Sequence, residues 1–277
     1  MKRVLTALIL IPLVLVLVFL APGWQWLFTL AVAAVAALAS WEYLGLAQKT
    51  GANPPRVAVV VAILALFAGN FQWPDQIAPT LGILSLGLLF YCTFSQPAEQ
   101  MIAAASTSIF CLFYVGFTLL ALPMLREETN GPSLVAFLLC VVWAGDIAAL
   151  YVGNAWGRHK LAPALSPSKT WEGALGSVAG SLLAVGGLLG LTHLFVTQWD
   201  KVWLSYPEDA GYWLVLAVVV NVAAQVGDLT ESALKRSAGV KDSGCLLPGH
   251  GGVLDRVDAL LVAAPVLWYA LVIHQWF

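Results

Sequence analysis

Charge is what this chain is short of. Only 10% of its 277 residues are Asp, Glu, Lys or Arg, while 60% are hydrophobic. Soluble domains carry about 25% charged residues, so a water-facing surface cannot be assembled from this composition. Cysteine is scarcer still. Cys92, Cys111, Cys140 and Cys245 are scattered, three of them inside apolar runs, which excludes a disulfide framework and a Cys-ligated zinc site. The net charge of -2 comes with no basic face, so a nucleic-acid partner is excluded as well. Internal repeats, low-complexity stretches and a second, soluble domain are also missing.

What the chain does have is long apolar runs, with a mean hydropathy of +0.86. Runs over about residues 4–21, 24–46, 57–73, 77–94, 102–123, 133–157, 172–197, 210–234 and 256–275 are each near the 20 or so residues that a helix needs to cross a bilayer. Only helices satisfy their own backbone in lipid without closing a barrel, and these runs are too long for barrel strands. The expected fold is therefore all-α, a polytopic integral membrane protein with about nine transmembrane helices. Lys2 and Arg3 before the first run resemble a signal-peptide start, but that run is long enough to span and Ala21-Pro-Gly-Trp24 is a weak cleavage site. With the N-terminus cytoplasmic, eleven Lys/Arg fall inside and only Arg126 and Lys201 outside. That bias sets the orientation.

Chemistry is unevenly distributed. Residues 1–130 read as N-terminal transmembrane helices without chemistry, their one embedded acid, Glu42, placed where it can snorkel to the interface. Residues 131–277 read as the catalytic region, with cytoplasmic loops 158–171 and 236–255. Asp146 interrupts an otherwise lipid-like run, at a cost of at least about 2.5 kcal/mol unless it faces a protein or water-filled interior. In the loop after it, Pro163 and Pro167 favour an extended path, and Ser168-Lys-Thr-Trp-Glu172 reads as an N-cap with a carboxylate in the first turn. Lys169 there either serves phosphate recognition at a helix start or is an ordinary positive-inside residue.

The most informative stretch is residues 228–258, which hold five of the fifteen acids and four of the thirteen Lys/Arg. Asp228, Glu231, Ser232 and Lys235 follow helical spacing and form one polar stripe. A loop rich in glycine, including Gly251 and Gly252, follows Arg236 and lets backbone approach a phosphate closely. Asp255 and Asp258 are three apart at the start of the last helix. Four carboxylates, Asp146, Asp228, Asp255 and Asp258, beside Lys and Arg suit Mg2+, a hard cation that takes oxygen ligands and shares substrate phosphates. Interhelical ion pairs explain some of these acids but leave several over. His250, between two glycines, is placed either to meet a phosphate or to brace the loop.

The pattern Ser232-x-Leu-Lys-Arg236, Lys241-Asp-x-Gly244 and Leu247-Pro-x-His-Gly-Gly-Val-x-Asp-Arg-Val-Asp258 resembles the signature of the phosphatidate cytidylyltransferase, or CDP-diacylglycerol synthase, family. Asp146, Gly157-Arg-His-Lys-Leu161, Ser166-Pro-x-Lys-Thr-Trp-x-Gly173 and Gln225-x-Gly-Asp228 are similar to it too, so the resemblance covers roughly residues 140–260. Two departures are Leu150, where relatives carry Tyr, and Cys245, where some carry His.

The resemblance implies an enzyme of phospholipid biosynthesis that condenses CTP with phosphatidic acid to give CDP-diacylglycerol and pyrophosphate. It implies Mg2+, with K+ as a candidate second ion, and a homodimer in a bacterial-type cytoplasmic (inner) membrane with the site facing the cytoplasm. Asp228, Asp255 and Asp258 would ligate metal with Asp146 close by, joined as catalytic residues by Lys235, Arg256 and His250. Arg158, Ser166, Lys169, Ser232, Arg236, Lys241, Gly251 and Gly252 would hold phosphate. Embedded carboxylates and broken helices also mark ion pathways, so a carrier remains the rival reading at this point.

Overall fold

The computed structural model describes residues 11–20, 23–199, 204–246 and 251–274. After a helical segment at 11–18 come α1 (Gln25–Lys49), α2 (Arg56–Gln72) and α3 (Ile77–Ser95). Next are α4 (Ala98–Cys111), a π-helical turn (Leu112–Phe117) and α5 (Thr118–Glu127), which run on as one apolar rod. Then follow α6 (Gly131–Trp156), strands β1 (Lys160–Ala162) and β2 (Ser166–Thr170), α7 (Trp171–Trp199), α8 (Ala210–Ser237) and α9 (Leu254–His274). The protein is all-α apart from that hairpin, and polytopic.

Seven helices among the described residues are long and apolar enough to cross a membrane. The expectation was nine. The run at 57–73 folds as α2, whose 17 residues fall short of a full span, and part of the first run lies outside the described residues. Phe94 and Leu183, 88% and 79% exposed, would be costly in water but are the ordinary surface of a protein solvated by lipid tails.

Contacts divide the chain into two compact units, neither of them continuous in sequence. The first contains Trp26–Ala121 and Ala233–Val257; the second contains Ile11–Gln25, Leu122–Ser232 and Asp258–Phe277. Inside the first unit the rings of Tyr43, Phe110 and Tyr114 stack, with centroids 5.2 Å apart between Phe110 and Tyr114 and 5.7 Å between Tyr43 and Phe110. Ile63 of α2 fills the space left by Gly116 in the π turn.

In the second unit α6 and α7 pack through small residues. A Cβ at Gly176 would lie 2.6 Å from Val152, and one at Gly180 would lie 2.3 Å from the Ala148 side chain. With no hydrophobic drive between helices in lipid, such close backbone approach supplies the packing. Gly227 does the same for α8 on α9, since a Cβ there would sit 2.5 Å from the Asp258 carbonyl oxygen.

Arg126 corrects a simpler expectation. It is not a loop cation but is buried at the end of α5, its Nε donating to Val18 O and its Nη2 to Leu20 O, both at 2.7 Å. Val18 O ends the helical segment and so lacks an intrahelical partner, and Leu20 O lies just beyond it. A guanidinium is suited to them by its fixed fork of donors.

Candidate functional site

In the second unit, the segment between α6 and α7 is a hairpin, not merely an extended loop. β1 and β2 are antiparallel with Lys160 opposite Thr170 and Ala162 opposite Ser166. The helix cap is Thr170, not Ser168: its Oγ1 accepts from Gly173 N at 3.1 Å, the usual Ncap-to-N3 bond. Glu172 lies in the first turn as expected, and it ties the hairpin's entry to α7. It accepts from the backbone N–H of Arg158 at 3.1 Å and of His159 at 3.2 Å, and meets His159 Nδ1 at 2.6 Å.

This arrangement aims Lys169 of β2 at Asp228 of α8, and the two form an ion pair. Around them is a cavity of about 370 Å3, whose lining includes Asp146, Asn154, Ser168, Lys169, Gln225 and Asp228. Asp146 thus faces the cavity, which answers the cost of a carboxylate in an apolar run. Leu150, the departure from the family's Tyr, also lines it. Ser166 is half-buried in β2 and the Arg158 side chain is exposed. Asp258, on α9 where that helix packs on Gly227, turns Oδ1 to Ala259 N at 2.8 Å. Glu231 and Ser232 are buried on α8, as an inward stripe requires.

In the first unit the glycine-rich segment is organised by two carboxylates. Asp255 Oδ1 pairs with Lys235 Nζ at 2.6 Å. Asp255 Oδ2 accepts from Gly252 N at 2.8 Å, Ser243 N at 3.0 Å and Ser243 Oγ at 2.9 Å. Gly251 adopts φ +78°, a left-handed conformation that suits glycine. A Cβ there would also lie 2.8 Å from Asp255 Oδ2.

The second carboxylate is Glu42, and here the expectation of a snorkelling side chain fails. Glu42 is 6% exposed, and its Oε2 accepts from Leu254 N at 2.9 Å and Ser243 Oγ at 3.0 Å. Gly244 and Gly252 are its clearance, because a Cβ at either would lie 2.3 Å from one of its oxygens. Arg236 Nη1 donates to Val240 O at 3.0 Å, and Lys241 and Arg256 are exposed. His250 lies outside the described residues.

Among the described residues, no three of His, Cys, Asp and Glu gather into a group that could hold a metal ion. The donor set nevertheless fits Mg2+, which is commonly held by one or two carboxylates with water and substrate phosphates completing its octahedron. Each of the two acids Asp228 and Asp255 already balances a lysine, so neither is an uncompensated charge.

A multi-pass fold that pairs lysine with aspartate beside an interhelical cavity and again at a glycine-rich segment is that of a membrane protein suited to polyanionic ligands. The chain belongs to the cytidylyltransferase family, whose model matches residues 1–274. The phosphatidate cytidylyltransferase of Synechocystis sp. is 35% identical over 302 residues, covering 98% of this chain and 96% of that protein. The protein of the same name from Haemophilus influenzae is 33% identical over 293 residues, 97% of each chain. A relative of that name from Brucella suis is 48% identical over 160 residues, a match spanning 57% of this chain and about half, 54%, of that protein.

Proposed function

We propose that this protein transfers the cytidylyl group of CTP to phosphatidic acid, giving CDP-diacylglycerol and pyrophosphate, as a step of phospholipid biosynthesis in a bacterial inner membrane. The observation that carries the reading is the pairing of Lys169 with Asp228 and of Lys235 with Asp255 in a member of this family. A lysine held by a carboxylate is positioned and electrically neutralised until a phosphate arrives. Lys169 and Lys235 would turn to phosphate oxygens, leaving Asp228 and Asp255 as the carboxylates that could hold a cation.

The nucleophile is the lipid phosphate, whose second pKa is near ~6, so at neutral pH it needs no strong general base. What the protein must do is relieve repulsion between two anions and stabilise the departing pyrophosphate. Asp228, Asp255 and Asp258 are the candidate Mg2+ ligands, and Asp146 lines the cavity with Asp228; one or two of these carboxylates would hold the ion, with water and phosphate oxygens completing its shell, and K+ is a candidate second ion. When bound, Mg2+ supplies positive charge to the triphosphate as the α-phosphorus is attacked. Arg158, Ser166, Lys169, Ser232, Arg236, Lys241, Gly251 and Gly252 would hold phosphate, while Lys235, Arg256 and His250 act nearest the reacting groups. Residues 131–277 would form the catalytic region, to which Glu42 adds a brace. The N-terminus would lie in the cytoplasm, the site would face it, and the protein would work as a homodimer.

The test is radiolabelled CTP incubated with phosphatidate and Mg2+ on the purified protein. Lipid-extractable label and released pyrophosphate are expected, abolished by chelator and restored by Mg2+. No lipid label, together with ion flux in liposomes, would replace this reading with a carrier.

A further inference from the structure

Buried among α6, α7 and α8 of the second unit is a polar ladder that phosphate chemistry does not require. Its direction is set by the backbone. Ser181 Oγ donates to Val141 O at 2.7 Å, and a carbonyl can only accept. With its one proton committed, Ser181 can only accept from Asn221, whose Nδ2 lies 2.8 Å away and also donates to Ser177 Oγ at 2.9 Å. Asn221 Oδ1 is therefore an acceptor, and Gln225 Nε2 donates to it at 2.7 Å. The second proton of Gln225 Nε2 goes to Ala174 O at 3.2 Å.

Both donors of Gln225 are thereby used, and the bond directions are fixed at the two ends of the ladder by the carbonyls of Val141 and Ala174. The ladder has no room to rearrange. Ser177, Ser181 and Asn221 are 2%, 0% and 1% exposed, and a Cβ on Gly145 would lie 2.4 Å from Asn221 Nδ2. Gln225 lines the same cavity as Asp146, Lys169 and Asp228, and the amide atom left to it there is Oε1, an acceptor. A ladder that served only to bind helices together could close on itself. This one orients an acceptor at a cavity wall.

The geometry points to Gln225 Oε1 as the reader of an exocyclic ring amine, making this part of the cavity the subsite for the cytosine base. The inference rests on the CTP-dependent reaction proposed above. Cytosine carries an amino donor at C4 where a uracil-type ring carries a carbonyl acceptor. Facing the amine, Gln225 gains a hydrogen bond; facing the carbonyl, two acceptors meet and a buried polar group goes unpaired. Asp228 follows three residues along α8, about 4.5 Å along the axis, and its partner Lys169 reaches it from β2. One cavity thus offers an acceptor for the base and charges for the phosphates.

The experiment measures equilibrium binding of CTP, dCTP and UTP to the purified full-length protein in detergent with Mg2+, alongside transfer to phosphatidate. The protein is expected to prefer CTP and dCTP to UTP. Gln225→Met, close in shape but without the acceptor, should weaken CTP and dCTP together by about tenfold or more and leave UTP unchanged. Ser181→Ala, outside the cavity wall, removes the anchor of the ladder and should narrow the CTP:UTP ratio in the same direction. It also carries the test if Gln225→Met does not fold. An unchanged CTP:UTP ratio in the variants that fold overturns the subsite. A loss confined to CTP, with dCTP spared, assigns the acceptor to the ribose hydroxyl and overturns the base reading. Amine-selective binding that depends on Gln225, in a protein that makes no CDP-diacylglycerol, keeps the subsite and removes the reaction.

Discussion

Asp255 has two jobs that substitution cannot separate. One oxygen accepts three hydrogen bonds from Ser243 and Gly252 while the other holds Lys235, so Asp255→Asn loosens the glycine-rich segment as well as removing charge. Asp258 Oδ1 accepts from Ala259 N on its own helix, so Asp258→Asn leaves the hydrogen bonds from Ser243 and Gly252 to Asp255 in place and is the more direct probe of metal binding. It should lower cytidylyl transfer by at least about a hundredfold, the scale of losing an electrostatic group at a reacting centre, with an unchanged elution profile in detergent. Near-normal turnover would remove Asp258 from the metal site. Glu42→Ala should instead destabilise, because Leu254 N loses its buried acceptor; a cost of about 1–3 kcal/mol would appear as a lower melting temperature, with activity falling alongside. The acids of residues 228–258 could be found from sequence, since each interrupts a lipid-like or glycine-rich pattern at helical spacing. Glu42 could not: its partners Ser243 and Leu254 are 201 and 212 residues away, and a lone acid near a helix end looks the same whether it snorkels or braces. Asn221, Ser177 and Ser181 escaped for a similar reason, as neutral polar residues in an apolar run reveal a network only when their helices are packed.

At the scale of elements, glycine sites divide by what a side chain would meet. Gly227→Ala should strain the α8–α9 contact, because the obstacle is the Asp258 backbone and not a movable side chain. Overpacking of this kind costs about 1–3 kcal/mol. Gly186→Ala and Gly187→Ala, with nothing within 4 Å, should be neutral or stabilising because Ala is the better helix former. Thermal unfolding of the three variants in one detergent checks the contrast, and equal effects would show that α8 and α9 do not meet as described. Helices were the legible elements, since hydropathy and length alone mark most of the spans. The hairpin was not. Pro163 and Pro167 argued for extension, and strand pairing across two short edges, where proline is tolerated, leaves no alternating pattern long enough to read. The Thr170 cap was hidden with it, because placing a cap depends on where the strand ends.

For the molecule as a whole, the charge bias implies an orientation that Cys245 can report. It is exposed, while Cys92 and Cys111 are buried and Cys140 is partly so. A membrane-impermeant maleimide should therefore label the protein in inside-out vesicles and spare it in right-side-out ones; the reverse result would invert the topology. The two interleaved units were not legible either, because hydropathy orders helices along the chain and says nothing about which of them pack together. Burial of Arg126 against the carbonyls of Val18 and Leu20 carries a consequence for biogenesis. Those partners are 108 and 106 residues apart in the chain, and at a synthesis rate of 5–20 residues per second the arginine emerges roughly 5–20 s after the helix it will cap. For that interval the helix end must be held by water, lipid headgroups or the insertion machinery, so its docking is a late event, and the cell sees a partly assembled protein before it sees an enzyme.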